Sequence, residues 1–251
     1  MKSQEFSYQD YVTDEKFLAD YNAYQAKYSG QIRESDKVIV DLIRQATAYS
    51  QDRAAPVRLL DIGCSTGNLL LHIKRLLPDL ELAGGDLAVS SLEQCRRNPD
   101  LAGVEFRELD LLDLPEAACD IAVVNAVLYM MEDEQFAGSL RSLSRCVAPG
   151  GHLVVFDFFH PFEQHLTIIE KSRSHPDGLR LVFRPMGEVT RLLTDAGFSE
   201  PQYRPFFLPI DLPRREDGEL ITYTVTANDG LRIPYRGALS QPWCHLVARK
   251  V

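Results

Sequence analysis

From about Val57 the chain alternates short apolar runs with segments whose apolar positions recur every three to four residues. "VRLLDIG" reads as a buried strand. "NLLLHIKRLLPD" carries apolar residues at 69, 70, 73, 76 and 77, a helical stripe stopped at Pro78. "ELAGGD", "GVEFREL", "DIAVVNAVLY" and "HLVVFDFF" read as four more strands, with "SSLEQCRRN" and "DEQFAGSLRSLSRCVA" as helices among them. Apolar strands joined by crossover helices predict an α/β fold with a parallel, doubly wound sheet covered on both faces.

Two stretches stand outside this alternation. Residues 1–55 form an N-terminal extension, helical at least over "DKVIVDLIRQATAY", ahead of a main domain at 56–251. That domain carries insertions at about 158–185 and 209–240, separated by the helix "GEVTRLLTDAGF". In the second insertion "ITYTVTANDGLRIPYRG" alternates around Asn228-Asp229-Gly230, a β-hairpin signal, and "WCHLVARKV" reads as a final strand.

Composition narrows the partners. The net charge is -9, from 27 basic and 36 acidic residues, a field that repels nucleic acid and anionic membrane. The polar start "MKSQEFSYQD" has no signal-peptide core, and no apolar run reaches the length of a membrane span. Five scattered cysteines with no CxxC pair favour a reduced, cytoplasmic protein over a disulfide framework or a zinc site. Oligomeric state is not legible, and a homodimer stays open.

The chemistry concentrates in "LLDIGCSTGNLL", residues 59–70. Gly63 and Gly67 let the backbone turn tightly before a helix whose first N–H groups lack intrahelical partners. A Walker loop is excluded because no Gly-Lys-Ser/Thr follows. The dinucleotide fingerprint fits poorly, since the spacing is Gly-x-x-x-Gly with no third glycine. What remains is Asp-x-Gly-x-(Gly or Ser)-x-Gly, and Asp61, Gly63, Ser65 and Gly67 match it. This loop resembles that of class I S-adenosylmethionine-dependent methyltransferases, with Ser65 in place of the commoner middle glycine.

Further landmarks over roughly residues 57–200 strengthen the resemblance. Asp86, closing "ELAGGD", matches the acid that holds the cofactor ribose. Asp110 in "ELDLLDLP" matches the one that meets the adenine amino group. An acid runs into the fourth strand in "CDIAVVNAVLYMM", and Pro-Gly-Gly precedes the fifth. The resemblance implies a seven-stranded, Rossmann-like sheet with its last strand antiparallel, and S-adenosylmethionine as cofactor. It places the cofactor on Asp61, Gly63, Cys64, Ser65, Gly67, Asp86, Leu87, Asp110, Leu111 and Asn125.

For the reaction, the carboxyl ends of strands four and five offer His160 as general base and Tyr129 as a group orienting the acceptor. Asn125, Asp157 and His165 lie in the same region. Tyr21, Tyr24 and Tyr28 fall on one helical face, which packs the extension and in many relatives closes over the cofactor. Tyrosine rings near a sulfonium gain cation–π attraction. Arg33 beyond them is suited to a carboxylate or to a surface ion pair.

The motif (Asn/Asp)-Pro-Pro-(Tyr/Phe) of base and amide methylation is absent, the chain reading "NAVL" instead. The Asp-Asn pair of magnesium-dependent catechol enzymes is replaced by Asp157-Phe158. The expectation is therefore metal-independent methyl transfer to a small molecule, with oxygen ahead of nitrogen or carbon as acceptor. Two rivals are a nicotinamide-dependent oxidoreductase and an S-adenosylmethionine-binding protein that does not catalyse.

Overall fold

The computed structural model describes residues 18, 19, 22, 23, 25, 30–48, 55–172, 175, 178–218 and 220–251. Parallel strands β1 (Arg58–Ile62), β2 (Glu81–Asp86), β3 (Glu105–Glu108), β4 (Cys119–Asn125) and β5 (Val147–His160) form the centre of the sheet. With β8 (Gln202–Pro205) and β12 (Trp243–Arg249), the order across the main sheet is β3-β2-β1-β4-β5-β12-β8. Only β12 runs against the others along this path, from Trp243 opposite Phe158 to Arg249 opposite His152. This is the seven-stranded arrangement with one reversed strand that the motif order implies.

Burial on both faces explains why β4 and β5 are almost continuously apolar. Ile121, Val123 and Val154 point to one side, where helices α1 (Glu34–Ala48), α2 (Asn68–Leu76) and α3 (Val89–Arg97) pack through Ile43, Leu70 and Leu92. Ala122, Val124, Leu153 and Val155 point to the other side. There they meet Phe136 and Leu143 of α4 (Asp133–Cys146) and Leu193 of α5 (Met186–Asp195). Period 2 on the strands against period 3.6 on the helices produces the two layers.

Within the N-terminal extension, α1 is therefore a wall of the core. A cover formed by this extension would have to lie before residue 34. The tyrosines proposed for that cover, Tyr21, Tyr24 and Tyr28, lie outside the described residues.

The insertions add two further units. β6 (Leu166–Glu170) and β7 (Leu179–Pro185) form an antiparallel pair, and β7 joins the end of β5 at Phe159–Arg184 and His160–Pro185. β9 (Thr222–Thr226), β10 (Arg232–Arg236) and β11 (Leu239–Ser240) make a small separate sheet. Its β9–β10 turn holds Gly230 at φ 82° and accepts Leu231 N–H on the Asp229 carboxylate at 3.1 Å. Arg236 donates to both oxygens of Glu170, at 2.9 and 3.1 Å, which ties one insertion to the other.

Candidate functional site

The turn after β1 is built from left-handed backbone. Gly63 has φ 75° and Gly67 φ 76°, with Ser65 between them at φ 49°. A Cβ on Gly63 would sit 2.6 Å from Val127 Cγ2, so both dihedral and space demand glycine. The turn is pinned to β2: Gly63 and Cys64 N–H donate to Gly85 O at 2.7 and 3.0 Å, and Ser65 N–H donates to Asp86 Oδ2 at 2.8 Å. Asp86 Oδ1 accepts Ala88 N–H at 2.8 Å. Its carboxylate thus links the glycine turn to the start of α3, and its remaining lone pairs are left for a ligand.

A cavity opens at this turn. Gly63, Ser65, Asp86 and Leu87 line one side, Leu111 joins them, and Asn125, Val127 and Tyr129 line the other. Leu18 reaches it from the N-terminal extension. Nearby, Asn22 Nδ2 lies 3.4 Å from Ser91 Oγ, and Asn68 donates to Gln25 O at 2.6 Å. These contacts set the described parts of the extension against the first turns of α2 and α3.

Ala126, next to Asn125, is also left-handed at φ 57°, and its N–H donates to Phe156 O at 2.8 Å. A non-glycine residue in that region stores backbone strain. Ser65 after β1 and Ala126 after β4 therefore both line the cavity with strained backbone.

Behind the turn lie two buried carboxyl groups. Asp61 in β1 is enclosed, one carboxylate oxygen has no hydrogen-bond partner, and its pKa is pushed up to about 8 by burial, then by Asp36 and Asp86. Asp36 enters from α1 and accepts Asn125 Nδ2 at 3.1 Å; burial raises its pKa too. Sequence reasoning missed Asp36, although a signal existed. It shares a helical face with Ile39, Val40 and Ile43, at i, i+3, i+4 and i+7, and a carboxylate on such a face has no solvent to meet.

Several expected site residues do other work. Asp110 does not line the cavity; its Oδ1 accepts Leu112 N–H at 2.9 Å and so closes the turn after β3. Cys64 is a buried thiol behind the turn, with its pKa raised by Cys95 and by burial. Gly67 shapes the backbone without lining the cavity. Arg33 also lies off the cavity lining and donates to Gln25 Oε1. His160 lies past the end of β4, where β5 pairs with β7. It is 6% exposed, lies beside Phe162 and does not line the cavity. The placement expected of a general base, within reach of an acceptor's proton, is not met there.

The far wall is held by two buried charges. Asp157 of β5 accepts Leu128 N–H at 2.8 Å, Tyr129 N–H at 3.2 Å and its neighbour Phe158 N–H at 2.7 Å. Arg184 of β7, 1% exposed, donates to Leu128 O at 3.2 Å and Met131 O at 2.6 Å, with its guanidinium 4.0 Å from the centre of the Phe136 ring. Burial pushes Asp157 up to about 6 and pulls Arg184 down, each opposing the other's shift. Together they grip both the N–H and the C=O groups of the 3-10 turn Leu128–Met130, which presents Tyr129. Among the described residues no cluster of three or more His, Cys, Asp and Glu could hold a metal ion.

Residues 59–151 match the family described as methyltransferase domain. Over these residues the chain is similar to class I S-adenosylmethionine-dependent methyltransferases. A demethylmenaquinone methyltransferase of Thermus thermophilus is 36% identical over 109 residues, covering 43% of this chain and 50% of that one. A trans-aconitate 2-methyltransferase of Methylobacterium nodulans is 33% identical over 139 residues, covering 55% and 50%. The chain thus spans about half the length of these curated relatives. In fold it is similar to a solved S-adenosylmethionine-dependent methyltransferase from Methanosarcina mazei, at TM-score 0.58 and 16% identity, over 81% of this chain and 97% of the other.

The geometry fits the family's cofactor. The Asp86 carboxylate is hydrogen-bonded to the glycine turn, and Asp61, with its orphaned oxygen, feels the charge of both Asp86 and Asp36, which suits a ligand bearing a sulfonium and an ammonium. Asp86 lines the cavity beside Leu87 and Leu111, a carboxylate next to apolar surface, which suits a ligand with hydroxyl groups and a flat ring.

Proposed function

We propose that this methyltransferase transfers a methyl group from S-adenosylmethionine to an oxygen of a small molecule, without a metal ion. Bound S-adenosylmethionine supplies a methyl already activated by its sulfonium. What the protein must add is alignment and exclusion of water. The supporting observation is the cavity itself, which runs from Ser65 on the glycine turn and Asp86 at the end of β2 to Asn125 at the end of β4 and Tyr129 beyond it. Asp86 holds the ribose end and the buried Asp36–Asp61 pair attracts the cationic end. The turn gripped by Asp157 and Arg184 sets Tyr129 against the acceptor. Leu18 of the N-terminal extension reaches the cavity and helps keep water out.

No histidine lines the cavity among the described residues, so the acceptor hydroxyl must be acidic enough to release its proton without one. The same observation favours a second reading, in which the acceptor is an amine that arrives neutral. The setting is the cytoplasm, where the five buried free thiols stay reduced, and no described helix is long and apolar enough to cross a membrane.

Calorimetry with S-adenosylhomocysteine and with NADH tests the cofactor. The first should bind and the second should not; the reverse result would restore the oxidoreductase. Incubation with methyl-labelled S-adenosylmethionine and a panel of hydroxyl and amine acceptors then tests the reaction. Label fixed on oxygen supports the first reading and label on nitrogen the second. Binding without transfer to any of them would leave a protein that holds the cofactor only.

A further inference from the structure

We propose that the acceptor is an uncharged ring compound bearing an acidic hydroxyl, a phenol or ring enol, that lies against Tyr129. This deepens the functional reading above and rests on it. Tyr129 lines the cavity, and its place is set through the backbone by Asp157. Behind it stands a continuous aromatic wall. The Trp243 ring meets Tyr129 edge-on with centroids 6.2 Å apart, while Phe158 lies 5.3 Å from Tyr129 and 4.0 Å from Trp243. Phe156 stacks on Trp243 at 4.7 Å and 12°. Leu179 and Phe183 from the first insertion and Leu239 from the second pack onto this cluster. The chain segments added to the common sheet thus converge behind Tyr129. Aromatic rings pair best edge-on or offset, and a half-buried tyrosine with a rigid backing offers such a surface to a planar partner.

Charge argues in the same direction. The only charged side chain among the described residues lining the cavity is the acid Asp86. No lysine or arginine is among them. The buried guanidinium of Arg184 already serves two carbonyls and Asp133. A di- or tricarboxylate acceptor would therefore meet repulsion without a partner. Met130 and Met131 complete the lining with soft, adaptable apolar contact. In the reaction the carbon–sulfur bond breaks, the oxygen–methyl bond forms, and the hydroxyl proton passes to solvent.

The experiment uses the full chain saturated with S-adenosylhomocysteine, titrated by calorimetry with 2-naphthol and, separately, with tricarballylate. Trp243 is the only tryptophan, so its indole N–H resonance reports the wall directly. Naphthol should bind and shift that resonance, and tricarballylate should do neither. Tyr129→Ala should weaken naphthol by roughly tenfold, more than it weakens S-adenosylhomocysteine, while Tyr129→Phe should stay within about threefold. Tighter binding of tricarballylate, no binding of naphthol, or equal naphthol affinity in Tyr129→Ala would overturn the proposal. If S-adenosylhomocysteine itself fails to bind, the functional reading falls first, and that failure is seen before any acceptor is added.

Discussion

The two sides of the cavity are made differently. The side after β1 is almost all backbone: glycines and Ser65 in left-handed conformation, with N–H groups turned onto Gly85 and Asp86. The side after β4 is shaped by side chains from far along the chain, Asp157 and Arg184, which hold the turn bearing Tyr129. A backbone site leaves few alternatives, because only certain residues tolerate its dihedrals. A side-chain clamp can be moved, re-aimed or replaced between relatives. The first side suits a cofactor that stays the same, the second an acceptor that changes.

The largest effect should come from breaking the clamp. Arg184→Met removes two carbonyl bonds and strands the Asp157 carboxylate in the core. Leaving a buried charge unpaired costs about 3–5 kcal/mol, which in a domain of this size lowers Tm by roughly 6–20 °C. Without the guanidinium the Asp157 pKa should rise further above its unfolded value. The variant's extra loss would then be smallest at low pH and would grow as pH rises through that pKa. Adding Asp157→Asn should recover part of the loss in thermal melts. If Arg184→Met melts with the parent, the clamp is not what holds the Tyr129 wall.

The backbone side should fail in binding. Gly63→Val forces a branched residue to φ 75° with its Cβ 2.6 Å from Val127. Affinity for S-adenosylhomocysteine, measured by calorimetry, should fall by roughly a hundredfold or more, given strain of about 1–3 kcal/mol plus the clash. Asp86→Asn keeps the shape but loses charge-assisted bonds worth about 1.5–3 kcal/mol each, less where partly solvated. A loss of at least roughly tenfold is expected. An unchanged affinity would remove Asp86 from the ribose.

This contrast also explains what was legible beforehand. The alternation of strands and helices, the reversed last strand and the glycine turn at Gly63 and Gly67 could be read because a nucleotide-type ligand constrains backbone, and backbone constrains residue type. Asp110 was misplaced because an acid after a strand can serve a ligand or close a turn; here it takes Leu112 N–H. Asp36 stood in plain view as a charge on an apolar helix face, yet its partner Asn125 comes from β4. No local pattern pairs Arg184 with Asp157 or sets Tyr129 beside Trp243, since those contacts exist only once β5, β7 and β12 have assembled.

A gentler test of the backbone side uses pH. Asp61 has a native pKa pushed up to about 8, above its unfolded value, so the folded protein binds the extra proton. Without cofactor, this group's contribution to stability is lost as pH rises from the ordinary carboxylate range through about 8. A cation bound at the turn favours the ionised carboxylate, so binding releases a proton. Affinity for S-adenosylmethionine should accordingly rise between roughly pH 6 and 8, by at most about tenfold per unit for one proton. Calorimetry in buffers of different ionisation enthalpy counts that proton. Affinity that falls over this range would mean Asp61 does not face the cationic part of the cofactor.

The smallest effect expected is at His160, which decides whether the side-chain half of the site extends along β5. Both ring nitrogens are buried without a hydrogen-bond partner, at a position flanked by Phe159 and close to Phe162. An unsatisfied buried polar group costs about 1–3 kcal/mol. Replacing it by an apolar ring of similar shape should remove that cost. His160→Phe is therefore expected to raise stability by about 1 kcal/mol, a gain of roughly 2–4 °C in Tm, with S-adenosylhomocysteine affinity unchanged. A general base would behave otherwise: its loss lowers turnover by about 10²–10⁴-fold whatever happens to stability. Once an acceptor is in hand, a turnover loss of that size in His160→Phe would bring the imidazole back into the reaction. It would also mean that the end of β5 moves toward the cavity when the acceptor binds.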